Sequence, residues 1–221
     1  MRSCACTEDH DRRRVVLTGG PGAGKTAVLG LIRQSFCTHV KVLPEAAGIV
    51  FGGGFPRESD TGVVRAAQRA IFFVQRELEA AADASNAAIT LCDRGTIDGV
   101  AYWPGPDDLW SSVGTSLPDQ LRRYYAVIHL RTPGPSEGYD RSNPLRIESS
   151  VEAMVIDEKI ADAWTQHPRR FTIEAVPDFL EKARRAVAVL QDLVPECCRQ
   201  HDVPSLDLPP KVVTTSTPKN G

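Results

Sequence analysis

Apolar positions in this chain follow two different rhythms. Short runs rich in β-branched and aliphatic residues, "RVVLTG", "VKVLPE", "AAITLCD", "YAVIHLRT" and "RFTIEA", read as buried strands. Between them lie longer stretches in which apolar residues recur every three or four positions, the spacing of an amphipathic helix. "KTAVLGLIRQSF" is the first of these, directly after the first strand. From Thr61 to Asp83 the stripe Val64, Ala67, Ile71, Val74, Leu78 and Ala81 predicts one long helix burying that face. A neighbouring face of the same helix carries Arg65, Gln68, Phe72, Gln75 and Arg76. From Asp178 to Val194, Phe179, Ala183, Val187, Leu190 and Val194 predict a helix that covers the sheet. Strands alternating with helices imply an α/β fold, three layers deep, with a parallel sheet between helices.

The 221 residues suffice for one substantial domain of this kind, expected over 14–196. The flanks, 1–13 and 197–221, read as a flexible N-terminal tail and a largely disordered C-terminal tail, because both are polar and the second is rich in Pro, Ser and Thr. A formal charge of -2 gives no sign of a general nucleic-acid or anionic-membrane binder. No apolar run approaches the roughly twenty residues of a membrane span. "MRSCACTEDHDR" lacks the apolar centre of a signal peptide, so a cytoplasmic protein is expected. None of the six cysteines forms a C-x-x-C pair, and reduced thiols are the expectation. Cys4 and Cys6 could hold a metal only with ligands supplied from elsewhere.

The chemistry starts where the first strand ends. Gly19-Gly20-Pro21-Gly22-Ala23-Gly24-Lys25-Thr26 fits G-x-x-x-x-G-K-[ST], and it lies between a strand and a helix, which is the context the motif needs. Glycines let successive N–H groups curl toward phosphate oxygens, and the following helix adds its positive dipole end. Lys25 is placed to reach the β- and γ-phosphates, and the Thr26 hydroxyl to ligate Mg²⁺. The third strand ends in Asp93, a second candidate Mg²⁺ ligand, unless it caps the strand and pairs with Arg94. Arg94 stands where many motor ATPases carry a Glu, and an arginine there suits an anionic substrate. Glu45, after the second strand, could accept the proton of an attacking hydroxyl, bind Mg²⁺ through water, or cap the next helix. The glycine-rich "GIVFGGGFPRES" that follows suits a substrate-side loop. Arg131, Arg141 and Arg146 are spaced along "HLRTPGPSEGYDRSNPLRIESS", either as a lid over phosphates or as a solvated loop. Arg146 and Glu148 would then open the next helix.

"TGGPGAGKT", "VLPEAAG", "CDRGTIDGVAYW" and "YDRSNPLRIES", in that order, resemble the AAA-type domain grouped with the nicotinamide riboside kinase part of NadR, among the P-loop nucleoside and nucleotide kinases. The resemblance spans roughly Arg14 to Val194. It implies a five-stranded parallel sheet in the order 2-3-1-4-5 with an Arg-bearing lid. It also implies a triphosphate and Mg²⁺ on Gly19 to Thr26, with Asp93 near the metal. Glu45 and Arg94 would face the acceptor, and Arg141 and Arg146 would sit on the lid. The face bearing Gln68, Phe72 and Gln75 resembles the helix with which deoxynucleoside kinases meet a base. ATP as donor is inherited from the same resemblance, with GTP an alternative.

Three functions remain to be weighed. The first is Mg²⁺-dependent transfer of the γ-phosphoryl of ATP to a nucleoside- or nucleotide-like acceptor, with Lys25, Glu45, Asp93, Arg94, Arg141 and Arg146 as the catalytic set. The second is a nucleotide-dependent regulatory module that hydrolyses without such an acceptor. The third, a nucleic-acid-processing ATPase, lacks basic patches interleaved with aromatics. N-K-x-D and a D-x-x-G after the third strand are both absent, which argues against a conventional GTPase.

Overall fold

The structure, a computed structural model, describes Cys4, residues 6–134 and residues 149–199. Five strands, β1 (Arg13–Thr18), β2 (Val40–Leu43), β3 (Ile89–Asp93), β4 (Ala126–Leu130) and β5 (Arg170–Ile173), form one parallel sheet in the order β2-β3-β1-β4-β5. This is the expected order. Crossing connections carry α1 (Lys25–Ser35), α2 (Ala46–Gly52), α3 (Thr61–Asp83), α4 (Leu109–Val113), α5 (Leu117–Leu121) and α6 (Ser150–Ala163). α7 (Phe179–Leu193) and α8 (Glu196–Arg199) close the described chain.

The period-two geometry of a strand explains the two cores. Val15 and Leu17 of β1, Ile89 and Leu91 of β3, and Ala126, Ile128 and Leu130 of β4 point to one face. There they meet Val28, Leu29 and Ile32 of α1 and Ala183, Val187 and Leu190 of α7. Val16, Cys92 and Val127 point to the other face, against Ala82 of α3, Ile160 of α6 and Trp164. Strands buried on both faces need apolar residues at nearly every position, which is why these read as continuous runs.

α3 forms over the expected residues, and Asp60 caps it by accepting from Gly62 N–H and Val63 N–H. Its buried face differs from the apolar stripe. Ala67, Gln68, Phe72, Gln75, Glu79 and Ala82 are the buried residues, while Ala81 is exposed and Val64, Ile71, Val74 and Leu78 are half-buried. The helix is rotated because its polar face is held inside by partners. Glu79, fully buried, accepts from Gln75 Nε2 at 2.9 Å and the Tyr124 hydroxyl at 2.8 Å, and pairs with Arg123.

Described residues near both ends of the chain contact the core. Cys4 packs against the core on the α1 and α7 side of the sheet, and so does Cys197. Cys198, on α8, is itself part of that core. Cys197 and Cys198 thus pack on the domain expected over 14–196, as thiols, which behave as small apolar groups, do when buried. The start of α6 also moves: Ser149 caps it and exchanges hydrogen bonds with Glu152 in a capping box.

Candidate functional site

Every strand of a parallel sheet points its carboxyl end to the same edge, and loops from adjacent strands therefore meet there. The loop from Gly19 to Gly24 leaves β1 at this edge and enters α1. Gly19 adopts φ +138, and a Cβ placed on it would lie 2.1 Å from the Leu130 carbonyl oxygen, so only glycine fits. α1 begins with no side-chain cap and no acidic residue in its first turn, which leaves its N–H groups directed at an anion. The Lys25 ammonium is buried and donates to the carbonyls of Gly19 at 2.8 Å and Gly20 at 2.9 Å. Burial, and then the Arg94 charge, push its pKa down to about 8.

The loop is braced from behind by residues that sequence reasoning missed. Gly20 N–H donates to Asp157 Oδ1 at 2.7 Å, so this one loop amide faces α6 instead of the phosphate side. Asp157 also bonds His129 Nε2 at 2.9 Å and pairs with Arg131 Nη1 at 3.1 Å. Arg131, expected either on a lid or in a solvated loop, is an anchor: its other partner is Glu158 on the same helix. Its guanidinium stays there because two carboxylates on one face of α6 hold it. Arg141 and Arg146, together with Glu148, lie outside the described residues.

Glu45 and Arg94 meet in front of the loop. Glu45 occupies the N-cap position of α2, yet its side chain makes no capping bond. Instead Oε1 accepts from Arg94 Nε at 2.7 Å. Burial raises the Glu45 pKa, but the charges of Arg94 and Lys25 outweigh it and hold the carboxyl below its ordinary range, ionised at neutral pH. Arg94 is the one described non-glycine residue with positive φ, 68°. Its N–H is tied to the Leu17 carbonyl at 3.0 Å, which re-aims the chain so that Nη1 reaches the Gly19 carbonyl at 3.1 Å. Burial works against the guanidinium charge, and Tyr102, Glu45 and Asp98 overcome it, keeping Arg94 firmly protonated.

Asp98 is the hidden organiser of this turn. It accepts from Gly95 N–H at 2.9 Å, from Trp164 Nε1 at 3.2 Å and from the Thr18 hydroxyl, and stands 3.6 Å from Arg94 Nη1. The signal was present in "DRGTID": an acid three residues after a glycine at a helical start. Asp93 behaves differently from both its neighbours. Its Oδ1 is buried with no hydrogen-bond partner, and burial pushes the carboxyl up to about 6. An orphaned buried carboxylate oxygen in a cavity that Thr26 also lines suits a hard divalent cation such as Mg²⁺, which takes oxygen ligands and water.

Lys25, Glu45, Asp93, Arg94 and Asp98 open onto one cavity of about 350 Å³. Thr26, Arg57, Gln68, Phe72, Gln75 and Tyr102 also line it. Gln75 is only 2 % exposed and its amide is fixed by Glu79, so the helix face expected from resemblance alone is turned inward. Arg57, from the glycine-rich loop, was not singled out in the sequence. It stacks over the Phe51 ring at 5.0 Å and its charge reaches Glu45.

The sheet order and the loop define a P-loop nucleotide-binding domain with the fold of nucleoside and nucleotide kinases. By sequence, residues 14–182 match the family described as AAA domain, and the chain belongs to that family. Among solved structures it is similar to a deoxyadenosine kinase from M. mycoides with bound dATP, at 15% identity and TM-score 0.56, over 81% of this chain and 99% of that one. It is also similar to a thymidylate kinase from Candida albicans, at 14% identity and TM-score 0.54, over 83% and 92% of the two chains. These likenesses are of fold. No curated protein matches the chain by sequence.

Proposed function

We propose that the protein is a small-molecule kinase that moves the γ-phosphoryl of Mg²⁺-ATP to a hydroxyl of a nucleoside-like acceptor, within the group that includes nicotinamide riboside kinase. The observation that carries this reading is the single cavity in which the triphosphate loop, the Glu45–Arg94 pair and the inward face of α3 meet. Motor ATPases need room only for water beside the phosphate. Here Gln68, Phe72, Gln75 and Tyr102 add a flat, aromatic and amide-rich space that suits a planar ring.

The chain's own residues account for each part of the transfer. Loop N–H groups and the α1 dipole hold the triphosphate, and Lys25 offsets charge building on the β- and γ-oxygens. Glu45, ionised and fixed through Oε1 by Arg94, orients the acceptor hydroxyl and takes its proton as the acceptor oxygen bonds to phosphorus. The bond from that phosphorus to the ADP oxygen breaks, and the leaving charge is met by Lys25. Bound between Thr26 and Asp93, Mg²⁺ would neutralise the phosphate oxygens. Arg141 and Arg146 remain proposed lid cations. The reaction suits the cytoplasm, where ATP is supplied, and no described helix is long and apolar enough to cross a membrane.

Labelled ATP incubated with a panel of nucleosides, nucleotides and pyridine ribosides should yield a phosphorylated acceptor. Glu45→Gln should lower that turnover by about 100-fold while ATP affinity stays within about twofold. Phosphate release that ignores every acceptor, and persists in Glu45→Gln, would instead establish a regulatory NTPase.

A further inference from the structure

At the opposite, amino-terminal edge of the sheet, five of the six cysteines and two histidines collect. Cys4 comes from the segment before β1, Cys37 and His39 from the tight turn between α1 and β2, and Cys198 from α8. The Sγ atoms of Cys4, Cys37 and Cys198 and one ring nitrogen of His39 all lie within 4.8 Å of one another, and three of these four residues are buried. Cys37 Sγ is 3.4 Å from Cys198 Sγ. His39 Nδ1 is 3.5 Å from Cys37 Sγ and 3.2 Å from Cys198 Sγ.

We propose that Cys4, Cys37, His39 and Cys198 form a structural zinc site that fastens both ends of the domain to the base of the sheet. A tetrahedral zinc with Zn–S of about 2.3 Å and Zn–N of about 2.0 Å sets sulfur–sulfur edges near 3.8 Å and sulfur–nitrogen edges near 3.5 Å. The Cys37–Cys198, Cys37–His39 and Cys198–His39 edges, 3.4, 3.5 and 3.2 Å, lie within a few tenths of an ångström of those values, and Cys4 Sγ completes the set within 4.8 Å. Three thiolates and one imidazole are a donor set for zinc, and sulfur excludes Mg²⁺ and Ca²⁺. On binding, each thiol releases its proton and the neutral imidazole contributes its Nδ1 lone pair, so up to three protons leave per ion. Four protein ligands close the site, which marks it as structural.

The surroundings agree. His39 is placed by the sheet itself, since its carbonyl accepts from Ile89 N–H at 2.9 Å. Cys6, His10 and Cys197 form a second layer: His10 Nε2 lies 3.5 Å from Cys6 Sγ and 3.3 Å from Cys197 Sγ, and the His10 and His39 rings meet edge to face at 4.9 Å. The family match over 14–182 includes Cys37 and His39 but neither Cys4 nor Cys198. The site is therefore a feature of this chain's own ends, and no single stretch of sequence displays it.

The test is metal analysis of full-length protein purified under reducing conditions without chelator. About one zinc per chain is expected. Cobalt exchanged for it should give the intense visible bands of a tetrahedral thiolate site. Cys198→Ser and Cys4→Ser should each cut bound zinc at least fivefold, whereas Cys197→Ser and Cys92→Ser should retain it. Wild-type protein that carries no zinc and takes up no cobalt overturns the proposal, whatever the variants do. So does a Cys37–Cys198 disulfide found by mapping the reduced preparation, or zinc retained in Cys198→Ser.

Discussion

Two consecutive carboxylate-and-guanidinium neighbours at the end of β3 are placed in opposite electrostatic circumstances. Arg94 is surrounded by Glu45, Asp98 and Tyr102, and its charge is secure. Asp93 Oδ1 has no partner, and burial lifts the carboxyl from 3.8 to about 6. A carboxyl whose folded pKa exceeds its unfolded value binds more protons when folded. Its penalty on stability is therefore absent below pH 4, grows as pH rises through the interval to about 6, and is complete above it. In the presence of chelator, Asp93→Asn should melt with the wild type near pH 4 and above it near pH 7. Thermal melts across that range check this, and a gap indifferent to pH would show that Asp93 is not desolvated. The same substitution should weaken Mg²⁺-dependent nucleotide binding, since it removes a charged oxygen ligand.

At the scale of elements, the glycine loop depends on a helix more than a hundred residues away. α6 presents Asp157 to Gly20 N–H, His129 and Arg131 at once, and its side chain is 2% exposed. Burial opposes ionisation of Asp157, but His129, Gly20 N–H and Arg131 together hold its pKa below the ordinary value. Removing one member of a buried ion cluster strands the others, at a cost of about 3 kcal/mol. Asp157→Ala should lower stability by that amount in denaturant titration. It should also weaken ATP binding about tenfold, because a loop that is no longer braced must be ordered by the ligand. Calorimetry separates the two effects. If affinity is unchanged in the destabilised variant, the brace is irrelevant to the loop.

Across the whole molecule, β1 separates two chemistries. The triphosphate loop follows its carboxyl end, and the thiol–imidazole cluster lies at the edge where it begins. Six residues of strand, Arg13–Thr18, hold them apart, roughly 17 Å at the usual rise. Stability and binding should then respond independently. Stripping zinc with a strong chelator should lower the melting temperature by about 5 °C or more, while ATP affinity, measured with Mg²⁺ restored, stays within about twofold. A parallel loss of affinity would mean that the base of the sheet is coupled to the loop.

Local pattern settled the elements and the phosphate loop: β1, α1 and the Gly19–Thr26 turn are dictated by residues adjacent in sequence, where periodicity and glycine placement are direct physical constraints. The sheet order was legible only through resemblance to a larger group. What sequence could not display was partnership at a distance. Periodicity placed Gln75 on a face beside the apolar stripe and gave no sign of Glu79, because helical spacing rewards apolar residues and is blind to a buried polar group satisfied from another element. Arg131 read as one cation of a lid or of a solvated loop because Asp157 and Glu158 lie on a helix that only folding brings alongside. Cys37 and Cys198 read as separate reduced thiols and Cys4 as a ligand that would need others from elsewhere, while His39 carried no signal, since ligand sets are recognised by short spacing. Their convergence exists only once the sheet has brought the amino ends of β1 and β2 to one edge, on either side of β3, and α8 has packed there.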